Sequence, residues 1–168
     1  IILLLIFWHN MLNKIENNFY LIILLISFLI ILSALYIEHI LVIPACKLCL
    51  YQRIPYLFSI VICFFGFFFP NIKIWIYLLI LTFLISITIS GYHIGIENNI
   101  FNEFSGCTNE NLNTTDKEEL LKNLNNVLPS CKVINFKIFG FSLATINFIL
   151  SFALAIITIR YFYNEKNR

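Results

Sequence analysis

The chain has 168 residues, 60% of them hydrophobic and only 12% charged, with a mean hydropathy of +0.88. A soluble domain of this size could not cover so much apolar side chain with polar surface, so the sequence is that of a membrane protein. Its formal charge of +2 is small and scattered, which excludes a nucleic-acid footprint.

In chain order, Ile1 to Trp8 is an apolar run too short to span a bilayer, without the basic flank or small-residue cleavage site of a secretory signal. The only Met is Met11, and the polar stretch Asn13-Lys14-Ile15-Glu16-Asn17-Asn18 follows it. Residues 1–18 therefore read as an N-terminal segment, with 1–10 expected to lie upstream of the native start. The 18 Phe, in a chain rich in Ile, Asn, Tyr and Lys, match what low-GC coding produces and read as lipid-facing side chains.

A bilayer-spanning helix takes about 20 mostly apolar residues. Four segments meet this, predicted at about 19–38, 50–69, 74–92 and 138–160. The expected fold is an all-α four-transmembrane-helix bundle over 19–163, with a short amphipathic helix in its second large loop and a tail at 164–168. Pro70-Asn71-Ile72-Lys73 is only long enough for a tight turn between the second and third helices.

Parity then puts the connectors 39–49 and 93–137 on one side of the membrane, and with them four of the five cysteines. Lys14, Lys73, Arg160, Lys166 and Arg168 fall on the opposite side. Lys47, Arg53, Lys117, Lys122, Lys132 and Lys137 fall with the cysteines. The count is nearly tied and tilts toward cytoplasmic termini, because Lys117 and Lys122 lie far along a long loop where charge counts least. In that loop Thr115 and Glu118 have capping-box spacing, and Leu120, Leu121, Leu124, Val127 and Leu128 then make one apolar stripe. The stripe fits a helix lying on the membrane surface or one packed against its own loop.

Cys46 and Cys49 stand two residues apart at the predicted start of the second helix, where the helix dipole and Lys47 favour a thiolate. Arg53 is one turn beyond Cys49 and shares its face if the helix has already begun there. Pro55 either opens the regular helix or lies inside one that started earlier. Cys107 and Cys131 flank the amphipathic stretch and would pair in an oxidising compartment. The bland alternatives are a loop staple for that pair and a four-sulfur zinc centre, but nothing holds the two loops in the register zinc needs, and no metal site is expected. Cys63, among Val61, Ile62, Phe64 and Phe65, reads as a small core residue. His93 and Glu97 share a helical face; His93 is a candidate cofactor contact or a simple interfacial histidine, and Glu97 reads as a solvated helix end. Glu38 and His39 read as interface markers ending the first helix.

Several of these residues together resemble the disulfide bond formation protein B family, quinone-linked oxidases of the bacterial periplasm. They are Ser33-Ala34-Leu35-Tyr36-Ile37-Glu38-His39, Cys46-Lys47-Leu48-Cys49-Leu50-Tyr51-Gln52-Arg53, Gly91-Tyr92-His93, the Cys107 and Cys131 pair, and Gly140-Phe141-Ser142-Leu143. The likeness covers about Phe19 to Tyr163. It departs at Ala45, where the family often has Pro directly before the first Cys, and is loose in the fourth helix.

The resemblance implies a bacterial inner-membrane protein with cytoplasmic termini and periplasmic cysteine loops. It would act as a monomer, reoxidising a thioredoxin-fold donor similar to DsbA. It implies catalytic roles for Cys46, Cys49, Cys107 and Cys131, with the donor attacking at Cys107 and Cys131 exchanging with Cys46. A quinone, ubiquinone or menaquinone, would meet Cys49, Arg53, His93 and Leu143. Soluble donors of that kind lie near about −120 mV, a value known for that system and not read from this chain, against about −300 mV for structural disulfides. At about 1.4 kcal/mol per 30 mV the gap is roughly 8 kcal/mol, which calls for an external oxidant. A vitamin K epoxide reductase-type protein would have its active Cys-x-x-Cys after the loop pair, the reverse of the order here. A membrane organiser similar to tetraspanins would have a Cys-Cys-Gly triplet in the loop, which this chain does not.

Overall fold

The computed structural model describes residues 18–69, 72–102, 130–132, 136–138 and 140–166. Helices α1 (Phe19–His39), α2 (Lys47–Phe68), α3 (Ile74–Glu97) and α4 (Leu143–Lys166) make up nearly all of it. All four are long and apolar enough to cross a membrane. Two short antiparallel strands, β1 (Lys137–Ile138) and β2 (Phe141–Ser142), precede α4. The fold is thus the all-α four-helix membrane bundle that the hydropathy pattern predicts. The turn residues Pro70 and Asn71, the amphipathic stretch 115–128, Cys107 and the N-terminal residues around Met11 lie outside the described residues.

Packing follows chain order, with α1 on α2, α2 on α3 and α3 on α4. Phe19, Ile23, Tyr56, Cys63, Ile76, Leu79, Phe83 and Leu154 form one core fed by every helix. Phe19 stacks on Tyr161 with ring centroids 3.9 Å apart, which joins α1 to α4. Gly66 lets α1 and α2 approach closely, since a Cβ there would stand 2.5 Å from the Tyr20 ring. Phe64, Phe65, Phe67, Phe68 and Phe69 face outward, as expected of lipid-facing side chains, whereas Phe19 and Phe83 are core.

Lipid is as apolar as Leu, so small residues and interhelical hydrogen bonds hold such bundles together. Ser59 donates to Ser27 at 2.7 Å, linking α2 to α1. The Tyr56 hydroxyl donates to Asn147 Oδ1 at 2.5 Å and lies 2.8 Å from Ser151, which in turn is 2.7 Å from Ser86. The three hydroxyls and Asn147 Oδ1 thus find partners within the protein, as a membrane interior requires, whereas Asn147 Nδ2 is buried without one.

Four helix ends differ from the sequence expectation: α4 runs on to Lys166, past the expected 160 and into the expected tail, and the other three lie at the end of the bundle that carries the cysteines. α2 starts at Lys47, not near 50, because Cys46 is an N-cap with extended backbone whose sulfur accepts from the Cys49 N–H at 3.2 Å. Pro55 is therefore inside the helix. α3 runs to Glu97, five residues past the apolar run, because His93, Gly95 and Ile96 are buried and Glu97 is mostly covered against other elements. α4 starts at Leu143, not near 138. The β1–β2 hairpin comes first, with Gly140 at φ +87, a backbone region glycine enters without steric cost. Ser142 then caps α4 by accepting from the Thr145 N–H at 3.2 Å.

Candidate functional site

The helix ends set the site. With α2 continuous from Lys47, Cys49 and Arg53 fall four residues apart on one face. Arg53 Nη1 is held by Glu38 Oε2 from the end of α1, in an ion pair whose side chains are 18% and 27% exposed. Glu38, read from sequence as an interface marker, instead fixes the guanidinium beside the thiols.

On the other side of the thiols stands His93, 3% exposed on α3. Its Nδ1 lies 3.1 Å from Gln52 Nε2. The amide donates there, so Nδ1 accepts and Nε2 carries the proton. That Nε2 lies 3.3 Å from the Cys131 carbonyl and 3.8 Å from Cys46 Sγ. One imidazole therefore touches the first thiol of α2 and the backbone of the second-loop cysteine at once. Cys46, Cys131, Leu48 and Ile96 form a buried cluster against which Cys49 packs.

Glu97 is not a solvated helix end. Its side chain is 9% exposed, its Oε1 lies 3.9 Å from His93 Nε2, and its Oε2 accepts from the Ser142 hydroxyl at 2.6 Å. The N-cap of α4 is thereby tied to the C-terminal turn of α3. The i,i+4 spacing of His93 and Glu97 was visible in the sequence; the hydroxyl that buries the pair comes from a residue whose capping role the sequence reading missed.

Cys46, Cys49 and Cys63 are free thiols, and Cys131 is disulfide-bonded. The Cys46 thiol is held down to about 5 from its ordinary 9.0: the Cys49 side chain hydrogen-bonds to it, and His93 and the Cys49 N–H add to this against the opposing effect of burial. Cys46 is thus ionised at neutral pH, the state that attacks and exchanges disulfides. Cys63, fully buried in the bundle core, plays no part.

A cleft of about 180 Å³ opens beside these groups, lined by Cys49, Arg53, Glu38, His93, Glu97 and Leu143, with Ile30, Leu150, Tyr56 and Asn147 deeper in. An apolar cavity of about 150 Å³ suffices for a benzene ring. Of the residues singled out from sequence, Cys46, Cys49, Cys131, Arg53, His93 and Leu143 all gather here, while Cys107 lies outside the described residues.

A family model described as "Disulfide bond formation protein DsbB" matches residues 16–160, nearly the whole chain and every element of this site. The chain belongs to the DsbB family. No curated protein matches it. As a DsbB-family member it is a multi-pass membrane protein of disulfide bond formation, and its chemistry is that of a disulfide oxidoreductase. Cys46, Cys49 and Cys131 stand together at this site. Gln52, Glu38, Glu97 and Ser142, which hold the reactive groups, were not legible as site residues from spacing alone.

Proposed function

We propose that this protein reoxidises a soluble, thioredoxin-fold disulfide donor of the DsbA kind and passes the electron pair to a membrane quinone. The observation that carries this reading is the His93 bridge, with Nε2 3.8 Å from Cys46 Sγ and 3.3 Å from the Cys131 carbonyl. It joins the second-loop cysteine to the Cys-x-x-Cys at the head of α2.

In the relay, a thiolate of the reduced donor attacks Cys107 of a Cys107–Cys131 disulfide, and Cys131 leaves as a thiolate. Cys131 then attacks Cys46 of a Cys46–Cys49 disulfide, and Cys49 leaves as the thiolate. Closure of the donor's second thiol on its mixed disulfide frees Cys107, and closure of Cys107 on Cys131 frees Cys46. The donor has lost two electrons and two protons, which now reside on Cys46 and Cys49.

The cleft fits a quinone ring, being small, apolar at depth, and polar where Arg53 and His93 reach it. A bound quinone supplies a two-electron, two-proton sink. Arg53, tethered by Glu38, holds negative charge next to Cys49. His93 carries a proton on Nε2 at the cleft wall, and Leu143 gives an apolar contact at the start of α4. Ubiquinone and menaquinone share the ring carbonyls these groups would meet. The ends of α1, α2, α3 and α4 that carry the cysteines would face the periplasm, with both termini cytoplasmic and the protein working as a monomer.

The test is to give the purified protein a short-chain ubiquinone and a reduced thioredoxin-fold donor, and to follow quinone absorbance with the thiol state. Quinone reduction that depends on the donor is expected, and its absence in the wild type defeats the reading. Cys107→Ala should stop oxidation of the donor while Cys46 and Cys49 remain oxidisable by quinone. A variant that oxidises the donor at the normal rate would overturn the order of the relay.

A further inference from the structure

The sulfurs of Cys46 and Cys49 and a ring nitrogen of His93 lie within 4.8 Å of one another at the head of α2. A metal with sulfur ligands at about 2.3 Å and a histidine nitrogen at about 2.0–2.1 Å holds them about 3.6 Å apart in a tetrahedral array. The observed Cys46 Sγ to His93 Nε2 separation is 3.8 Å. That is long for a hydrogen bond, yet within a few tenths of an ångström of a shared tetrahedral edge.

We propose that the reduced Cys46–Cys49 pair, with His93, is a binding site for zinc or a similarly thiophilic divalent cation, and that the site exists only while the pair is reduced. Cys49 loses its proton to solvent on binding, and the two thiolates balance the charge of the dipositive ion, which removes the main cost of burying it. Cys46 is already braced as a thiolate by the Cys49 backbone N–H. Gln52 supplies the support that ligating histidines normally have on their second nitrogen; its amide carbonyl can accept from Nδ1–H once Nε2 turns to the metal. Oxidation to the Cys46–Cys49 disulfide withdraws both sulfur ligands. This donor set differs from the four-sulfur centre that the sequence argued against, because it takes nothing from the second loop.

The consequence is a redox-gated inhibitor site: zinc traps the dithiol and keeps its electron pair from any acceptor. The inference rests on this pair cycling between dithiol and disulfide, and its test needs neither quinone nor donor protein. Full-length protein, held under a phosphine reductant in detergent, is titrated with cobalt(II). One equivalent should give a thiolate-to-cobalt band in the near ultraviolet and tetrahedral bands in the visible, and zinc should displace it. Disulfide-form protein should show neither. Gln52→Leu should weaken zinc binding by about 10–100-fold, the usual loss for a ligand's supporting partner, and His93→Ala, which removes a ligand, by at least as much. Equal cobalt binding by the disulfide form, or by the Cys46→Ser/Cys49→Ser double variant, overturns the proposal, as does zinc affinity unaffected by His93→Ala. A protein that binds cobalt but fails to reduce quinone would refute the quinone reading alone.

Discussion

Glu38, in the last turn of α1, holds the guanidinium of Arg53 on α2. An arginine on a long flexible stem samples many positions; tethered, it presents its remaining N–H groups to the cleft beside Cys49.

Arg53→Ala should therefore raise the apparent KM for quinone by about tenfold or more, as expected for a lost charge-assisted hydrogen bond of about 1.5–3 kcal/mol. KM for the donor should change little. Glu38→Gln, which can still accept from the guanidinium, should give a smaller rise. If Glu38 acts only through Arg53, the double variant is no worse than Arg53→Ala alone. Additive losses in steady-state kinetics would show that Glu38 has a separate role.

Gln52 is 7% exposed, and its amide satisfies Nδ1 of the buried His93. Gln52→Leu leaves that nitrogen without a partner in the protein interior, at a cost of about 1–3 kcal/mol. Thermal unfolding in detergent should show the drop. Equal stability of the leucine variant would mean that water takes over the bond.

The helices were legible because hydropathy over about 20 residues is a strong signal, and the Cys-x-x-Cys was legible because its chemistry depends on local spacing. The helix ends were not. Cys46 extends α2 backward by capping it with a sulfur, and Ser142 delays α4 by capping it after a hairpin, and neither choice alters the apolar run. Residues whose roles depend on a distant partner stayed hidden for the same reason. Glu97 and His93 were visible as a helical pair, but only the fold brings Ser142 to one and Cys46 to the other. Arg53 was visible beside Cys49, whereas Glu38 is 15 positions earlier and on another helix.

Gly66 packs under Tyr20 of α1, where a Cβ would stand 2.5 Å from the ring. Gly66→Ala should destabilise the bundle by about 1–3 kcal/mol, the usual range for overpacking. Adding Tyr20→Leu should recover part of the loss by emptying the contact. Thermal denaturation of the single and double variants decides this, and a double variant less stable than the sum of its parts would place the strain elsewhere.

The lowered Cys46 thiol gives the reduced protein a pH signature. With the group at about 5 in the fold and an ordinary 9.0 outside it, Cys46 is a thiolate across the neutral range. The stabilisation of the folded dithiol form is complete above the ordinary value and is lost as pH falls through about 5. In chelator-treated, reduced protein, the alkylation rate of Cys46 by a small reagent should be flat from about pH 7 down to about pH 6, then fall with a midpoint near 5; an ordinary thiol near about 8.5 would lose rate throughout that range. Mass spectrometry of Cys46-containing peptides separates its rate from those of Cys49 and Cys63. His93→Ala removes one of the groups that favour the thiolate, and the midpoint should move upward. A midpoint above pH 7 in the wild type, or one that stays fixed in His93→Ala, would show that the imidazole does not act on this sulfur.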